Sequence, residues 1–181
     1  MPRRIVVGVG GGLAAIKAPS LVRRLQDAGA EVRVALSGDA ARFVTPLALA
    51  AVSGEAPLDR ELWFRADGEA RHLSWARWAD LLLVAPASAD LLAALANGHA
   101  DDPVAALALS APRVLVAPAM NDAMWRAPAV QRNVARLRDD GHEVLEPAHG
   151  PLGTRGEGSG AGRLPDEASL VAAALRTPRG R

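Results

Sequence analysis

Five short apolar runs punctuate the chain, and alanine-rich segments lie between them. The runs are "RIVVGV" (4–9), "EVRVAL" (31–36), "DLLLVAP" (80–86), "RVLVAP" (113–118) and "HEVLEP" (142–147). Uninterrupted apolar character over so few residues fits strands buried on both faces, as in a parallel sheet. The intervening stretches 13–28, 39–52, 88–97, 102–110 and 122–139 read as helices, and 166–176 closes the series, entered from Pro165 and Asp166. Gly29 and Gly141 stand where a helix ends in the left-handed conformation before the next strand. Alternation of this kind predicts an α/β fold, a doubly wound Rossmann-like (flavodoxin-like) parallel sheet with right-handed crossovers. In such sheets ligands bind beyond the carboxyl ends of the strands. That rule directs attention to the loops at 8–12, 37–45, 85–90, 117–125 and 148–163.

A chain of 181 residues matches one domain, with 177–181 expected as a disordered tail. Basic and acidic residues nearly cancel, 21 against 20, which gives no electrostatic case for nucleic acid or a charged membrane as partner. Cysteine is absent, so disulfides, thiolate metal sites and cysteine nucleophiles are excluded. The four histidines form no pair or carboxylate cluster at metal spacing, and no metal is expected. The amino terminus lacks a signal-peptide pattern and no apolar run is long enough to span a membrane, so a cytoplasmic location is expected. Six glycines crowd residues 149–165, "HGPLGTRGEGSGAGRLP". So little chain follows this stretch that a linker has almost nothing to link, and a flap at about 149–163 over a site is the alternative.

Individual motifs leave their chemistry open. "GVGGGLAAIKA" (8–18) follows the first run and opens a helix, where free amides bind anions. Gly10, Gly12 and Ala15 fit a loose dinucleotide pattern, but Leu36 and Ser37 stand where a ribose-binding acid belongs, and a hydroxyl suits a phosphate better. Alternatively these glycines only let helix and sheet pack closely. Ser88 and Asp90 in "APASAD" either cap a helix or touch a ligand. In "PAMNDAMW" (118–125), Met120, Asn121, Met124 and Trp125 gather at a strand end, as core plus an Asn121 cap or as a site. His72 beside tryptophans reads as structural on its own.

Taken together, "GVGGGLAAIKA", "RFVTPLALAAVSG" (42–54), "HLSWARWADLLLVAPASADLLAALANGHADD" (72–102), "PAMNDAMWRAPAVQRNVARLRDDGHEVLEP" (118–147) and "GAGRL" (160–164) resemble the homo-oligomeric flavin-containing cysteine decarboxylases. "PAMNDAMW" matches that family's P-x-M-N-x-x-M-W motif at every fixed position. The resemblance implies FMN, alternatively FAD, bound between subunits of a trimer, with trimers in some members assembled into dodecamers. It makes His72 and Asn121 the catalytic residues, His72 as base. Met120, Asn121, Met124, Gly160, Gly162 and Arg163 become substrate-binding. Gly8, Gly10, Gly11, Gly12, Ser37, Phe43, Ala87, Ser88 and Asp90 fall in flavin-contacting stretches.

Two departures stand out. Gly10 replaces the usual Ser or Thr of the phosphate loop. The flap reads Leu152, Gly153, Thr154 where the coenzyme A branch carries a cysteine in a string like L-A-C-G-E-x-G-x-G-R. In that branch the thiol lets the enethiol be reduced. Its absence implies oxidative decarboxylation of the C-terminal cysteine of a ribosomally made precursor peptide, giving an aminoenethiol. The alternatives are a phosphopantothenoylcysteine decarboxylase of coenzyme A synthesis, acting on a small cysteine-containing substrate, and a non-catalytic flavin-binding regulatory subunit.

Overall fold

In the computed structural model, which describes residues 1–156 and 158–176, five parallel strands form one sheet in the order β2-β1-β3-β4-β5. They are β1 (Arg4–Val9), β2 (Glu31–Leu36), β3 (Leu81–Ala87), β4 (Val114–Pro118) and β5 (Glu143–Val144). The expected tail 177–181 and Glu157 of the flap lie outside the described residues. In β3 every residue is buried, as the uninterrupted apolar run requires when helices cover both faces. Alternate residues serve opposite faces. Ile5, Val7, Leu81, Leu83 and Leu115 pack with α1 (Ala18–Asp27), α2 (Pro46–Ser53) and α9 (Glu167–Leu175). Val6, Leu82, Val84, Val114 and Val116 pack with α4 (Arg71–Trp78), α5 (Ala89–Ala96), α6 (Pro103–Ala108) and α8 (Pro128–Asp139).

Helix limits follow local chemistry. Gly29 and Gly141 have φ of 87° and 88°, the left-handed endings expected of them. Asp166 caps α9 by accepting from the Ser169 N–H at 2.8 Å. Elsewhere the structure corrects the sequence reading. The stretch 13–28 starts as a 3-10 turn, Leu13–Lys17, before α1. Segment 39–52 likewise has a 3-10 turn at Ala40–Arg42, and α2 starts only after the Thr45 cap. The expected helix 122–139 is two helices, α7 (Asp122–Arg126) and α8, because Ala127 precedes Pro128 and is driven to ψ 131°. The fifth run pairs over only two residues.

Three elements were not expected: α3 (Arg60–Trp63), α4, and an antiparallel hairpin of β6 (Ala148–Pro151) with β7 (Ser159–Arg163). The hairpin occupies the glycine-rich stretch.

Gly8 lies inside β1, paired with Ala35 and Val84. A Cβ there would come 2.6 Å from Val104 Cγ1. Gly8→Ala is expected to cost about 1–3 kcal/mol, the usual range for overpacking a core. Adding Val104→Ala should return part of that loss, which chemical denaturation of both variants measures.

Candidate functional site

Strand β1 has β2 on one side and β3 on the other, so the chain reverses its direction of travel across the sheet between β1 and β3. Their carboxyl-end loops therefore diverge and leave a crevice. Two neighbouring cavities occupy this edge, and Met124 lines both.

The first, of about 490 Å³, is walled by Leu13, Ile16 and Lys17 of the 3-10 turn, by Met120 and Asn121 after β4, and by the hairpin's Leu152, Gly153, Thr154, Gly162 and Arg163. The second, of about 540 Å³, takes in Gly11, Ser37, Gly38, Asp39, Arg60, Ser88, Asp90 and Asp102. Both fall in the roughly 300–1,000 Å³ range of small-molecule sites. Cations gather in the first, Lys17 and Arg163, whereas Asp39, Asp90, Asp101 and Asp102 line the second with Arg60.

Capping and cavity lining turn out to be compatible. Asn121 Oδ1 accepts from the Ala123 N–H at 2.8 Å, starting α7, and the same residue faces the first cavity. Ser88 Oγ accepts from the Leu91 N–H at 3.2 Å, starting α5 beside the second. Asp102 accepts from the N–H groups of Gly38 (2.8 Å), Val104 (2.9 Å) and Ala105 (3.3 Å). Its carboxylate thereby ties the loop after β2 to α6. Burial pushes its pKa up, against those hydrogen bonds.

Not every expected residue reaches a cavity wall. Gly8 sits in the sheet interior, and its glycine serves packing against α6. Gly10 is pressed on the end of β3: its N–H donates to Pro86 O at 2.9 Å, and a Cβ would come 2.6 Å from that oxygen. Here the missing Ser or Thr side chain has a steric reason. Gly12 leads into the 3-10 turn with open space around it. Ala87 is buried at the end of β3, its carbonyl accepting from the Ala119 N–H. Gly160 abuts Asp122. Phe43, 44% exposed, lines neither cavity. Conversely Leu13, Lys17, Arg60 and Asp102 were not singled out. Lys17, the only lysine of the chain, five residues after Gly12, was the available signal.

His72 also lines neither cavity. It sits in the first turn of α4, where Nδ1 accepts from the Trp63 indole N–H at 3.2 Å. This contact favours the Nε2–H tautomer, in which the ring presents a donor. Service as a base at Nε2 requires the other tautomer and hence loss of the indole bond. The start of α4 is fixed by Arg71, buried and paired with Asp67 and Glu69. The Arg71 hydrogen bond holds the Asp67 carboxyl down at about 2.

The chain matches the Flavoprotein family over residues 1–177 and belongs to it. It is 44% identical over 171 residues to the coenzyme A biosynthesis bifunctional protein CoaBC of Escherichia coli (strain K12). That match covers 93% of this chain and 41% of the relative, so the chain spans less than half the relative's length. Among solved structures it is similar to the FMN-dependent cysteine decarboxylase SpaF, with a TM-score of 0.80 and 36% identity over 96% of this chain and 95% of that one. It is also similar to a cysteine-to-serine variant of PPC decarboxylase complexed with pantothenoylaminoethenethiol. There the TM-score is 0.85 and the identity 26%, over 96% of each chain.

Because the folded Asp67 pKa is depressed, its pairing with Arg71 adds stability above the ordinary value of 3.8, and that contribution is lost as pH falls towards about 2. Thermal melts of wild type and Asp67→Asn should therefore differ at neutral pH and converge across that acid window.

Proposed function

We propose that this protein is an FMN-dependent decarboxylase of cysteine substrates, and that it works oxidatively on the C-terminal cysteine of a ribosomally made peptide. One observation carries the reading. The first cavity joins Met120 and Asn121 to a hairpin that presents Thr154, in a chain without a single cysteine.

The second cavity collects Gly11, Ser37, Ser88 and Asp90, which lie in the stretches that the resemblance assigns to the flavin. A Cβ on Gly11 would come 2.8 Å from Asp39 Cβ, so the backbone there is closely fitted, and the Ser37 and Ser88 hydroxyls stand at the strand ends. Gly11, Ser37, Ser88 and Asp90 would hold the cofactor, with Met124 between it and the substrate. When bound, the flavin supplies a two-electron acceptor that turns the cysteine side chain into a thioaldehyde able to take up the electron pair left by departing CO2.

The chain's own residues orient and exchange protons. Asn121 caps α7 and lines the first cavity, and its side-chain amide, a neutral group, would orient the substrate carboxylate. His72 would move the substrate proton. Since it lines neither cavity, this reading brings it to the site from a second copy of the chain, in keeping with a homo-oligomer, trimer or dodecamer. Leu13, Ile16, Phe43 and Leu47 are exposed apolar side chains that such assembly would cover.

The 44% identity to CoaBC favours a second reading, decarboxylation of phosphopantothenoylcysteine. The two differ in product. In air, a peptide ending in cysteine should lose CO2 and two hydrogens. If phosphopantothenoylcysteine instead loses CO2 alone, mass spectrometry establishes the second reading. His72→Asn should abolish either change while the bound-flavin spectrum persists.

Asn121→Asp keeps the helix cap but sets a negative charge against the substrate carboxylate, and it should be inactive as well. Co-refolding His72→Asn with Asn121→Asp should restore part of the turnover, because mixed assemblies contain sites with both native residues. No recovery from mixed assemblies would place both residues of a working site in one chain.

A further inference from the structure

Among the described residues, two backbone N–H groups tie the hairpin and the site loop together. The Met120 N–H donates to Gly162 O at 2.9 Å, and the Ala161 N–H donates to Asp122 Oδ1 at 3.1 Å. The approach leaves no room for side chains. A Cβ on Gly160 would come 2.7 Å from Asp122 Cβ, and one on Gly162 would come 2.4 Å from Met120 O, at a φ of +122°. Asp122 directly follows Asn121 and begins α7, and its carboxylate also pairs with Arg126. It is one of the unspecified positions of P-x-M-N-x-x-M-W, so the acid is a feature of this chain and not of the motif.

A two-stranded hairpin is at best marginally stable in water by itself. What keeps β6 and β7 seated is therefore their attachment to the rest of the fold. Of the Met120–Gly162 and Ala161–Asp122 hydrogen bonds, the one to a carboxylate is charge-assisted and the stronger kind. The hairpin's connecting turn brings Leu152, Gly153 and Thr154 to the wall of the first cavity. Holding β7 down holds that wall in place.

We propose that Asp122 is a positioning residue that latches the hairpin closed over the first cavity, acting through the Ala161 amide. It couples the loop that carries Asn121 to the wall that retains the substrate. This inference rests on the reading of that cavity as the substrate site. The latch leaves flavin binding unchanged, because Asp122 does not line the second cavity.

The test compares the flavin-loaded wild type with Asp122→Ala, Asp122→Asn and Arg126→Met. Asp122→Ala should raise amide exchange at Ala161 roughly tenfold or more, as loss of a hydrogen bond to a charged group implies. Tryptic cleavage at Arg155 in the hairpin turn should accelerate in parallel, and KM should rise more than kcat falls. Asp122→Asn keeps an acceptor oxygen and should recover much of the closure. Arg126→Met removes only the exposed ion pair and should behave as wild type. Unchanged exchange at Ala161 in Asp122→Ala overturns the latch, and so does equal loosening by Arg126→Met. If the wild type turns over neither candidate substrate, the substrate reading falls, while exchange and proteolysis still decide whether Asp122 closes the hairpin.

Discussion

Where β1 and β3 end, two backbones meet without side chains between them: the Gly10 N–H reaches Pro86 O at 2.9 Å, and a Cβ would come 2.6 Å from the same oxygen. This contact fixes the point from which the chain diverges. On one side Ser37 N–H donates to Val9 O and holds the loop after β2; on the other Ala119 N–H donates to Ala87 O and holds the loop after β4. The crevice is the space between loops pinned this way. A Cβ at residue 10 could be admitted here only if the two strand ends shifted relative to one another. Gly10 in this chain therefore serves the close approach of the two strands, and Ser37 and Ser88 bring hydroxyl side chains to the crevice.

The sheet was legible because each of its buried strands needs a continuous apolar run, and such runs leave a plain trace in the sequence. The helices around α4 were not. "ARHLSWARW" mixes tryptophans with charges, and its Arg71 is buried only because Asp67 and Glu69, outside the helix, neutralise it. The apolar period that marks a helix is broken by a residue whose burial depends on partners elsewhere. The break at Ala127 was different: Pro128 carried the signal, and the amphipathic run on either side obscured it.

The hairpin was hidden for a third reason. Glycines disfavour strands, and β7 is "SGAGR", with alternating glycines where β-branched residues would be expected. Those glycines serve the contact with Met120 and Asp122, some forty residues away, which no local pattern can announce. The same holds for the site. Met120, Asn121 and Met124 could be picked out as one string, and Gly162 and Arg163 as another. That they share a cavity with Leu13 and Lys17 depends on how the sheet aligns three separate strand ends. Gly8 and Phe43 lie in the same stretches of sequence yet outside both cavities of the single chain.

The chemistry of Thr154 bears on where the proposed reaction ends. Loss of CO2 from the oxidised substrate leaves an enethiol, and returning two electrons to it requires a proton delivered to carbon. A thiol, with a pKa of about 8.5, can give up that proton and be restored near neutral pH. The Thr154 hydroxyl is a hydrogen-bond donor and acceptor but a far weaker acid. Lys17 and Arg163 line the same cavity and bring positive charge to it. Under the proposed function the hairpin would face the substrate with a hydroxyl where a thiol would serve the reductive half. In the proposed reaction the product would therefore leave in its oxidised form.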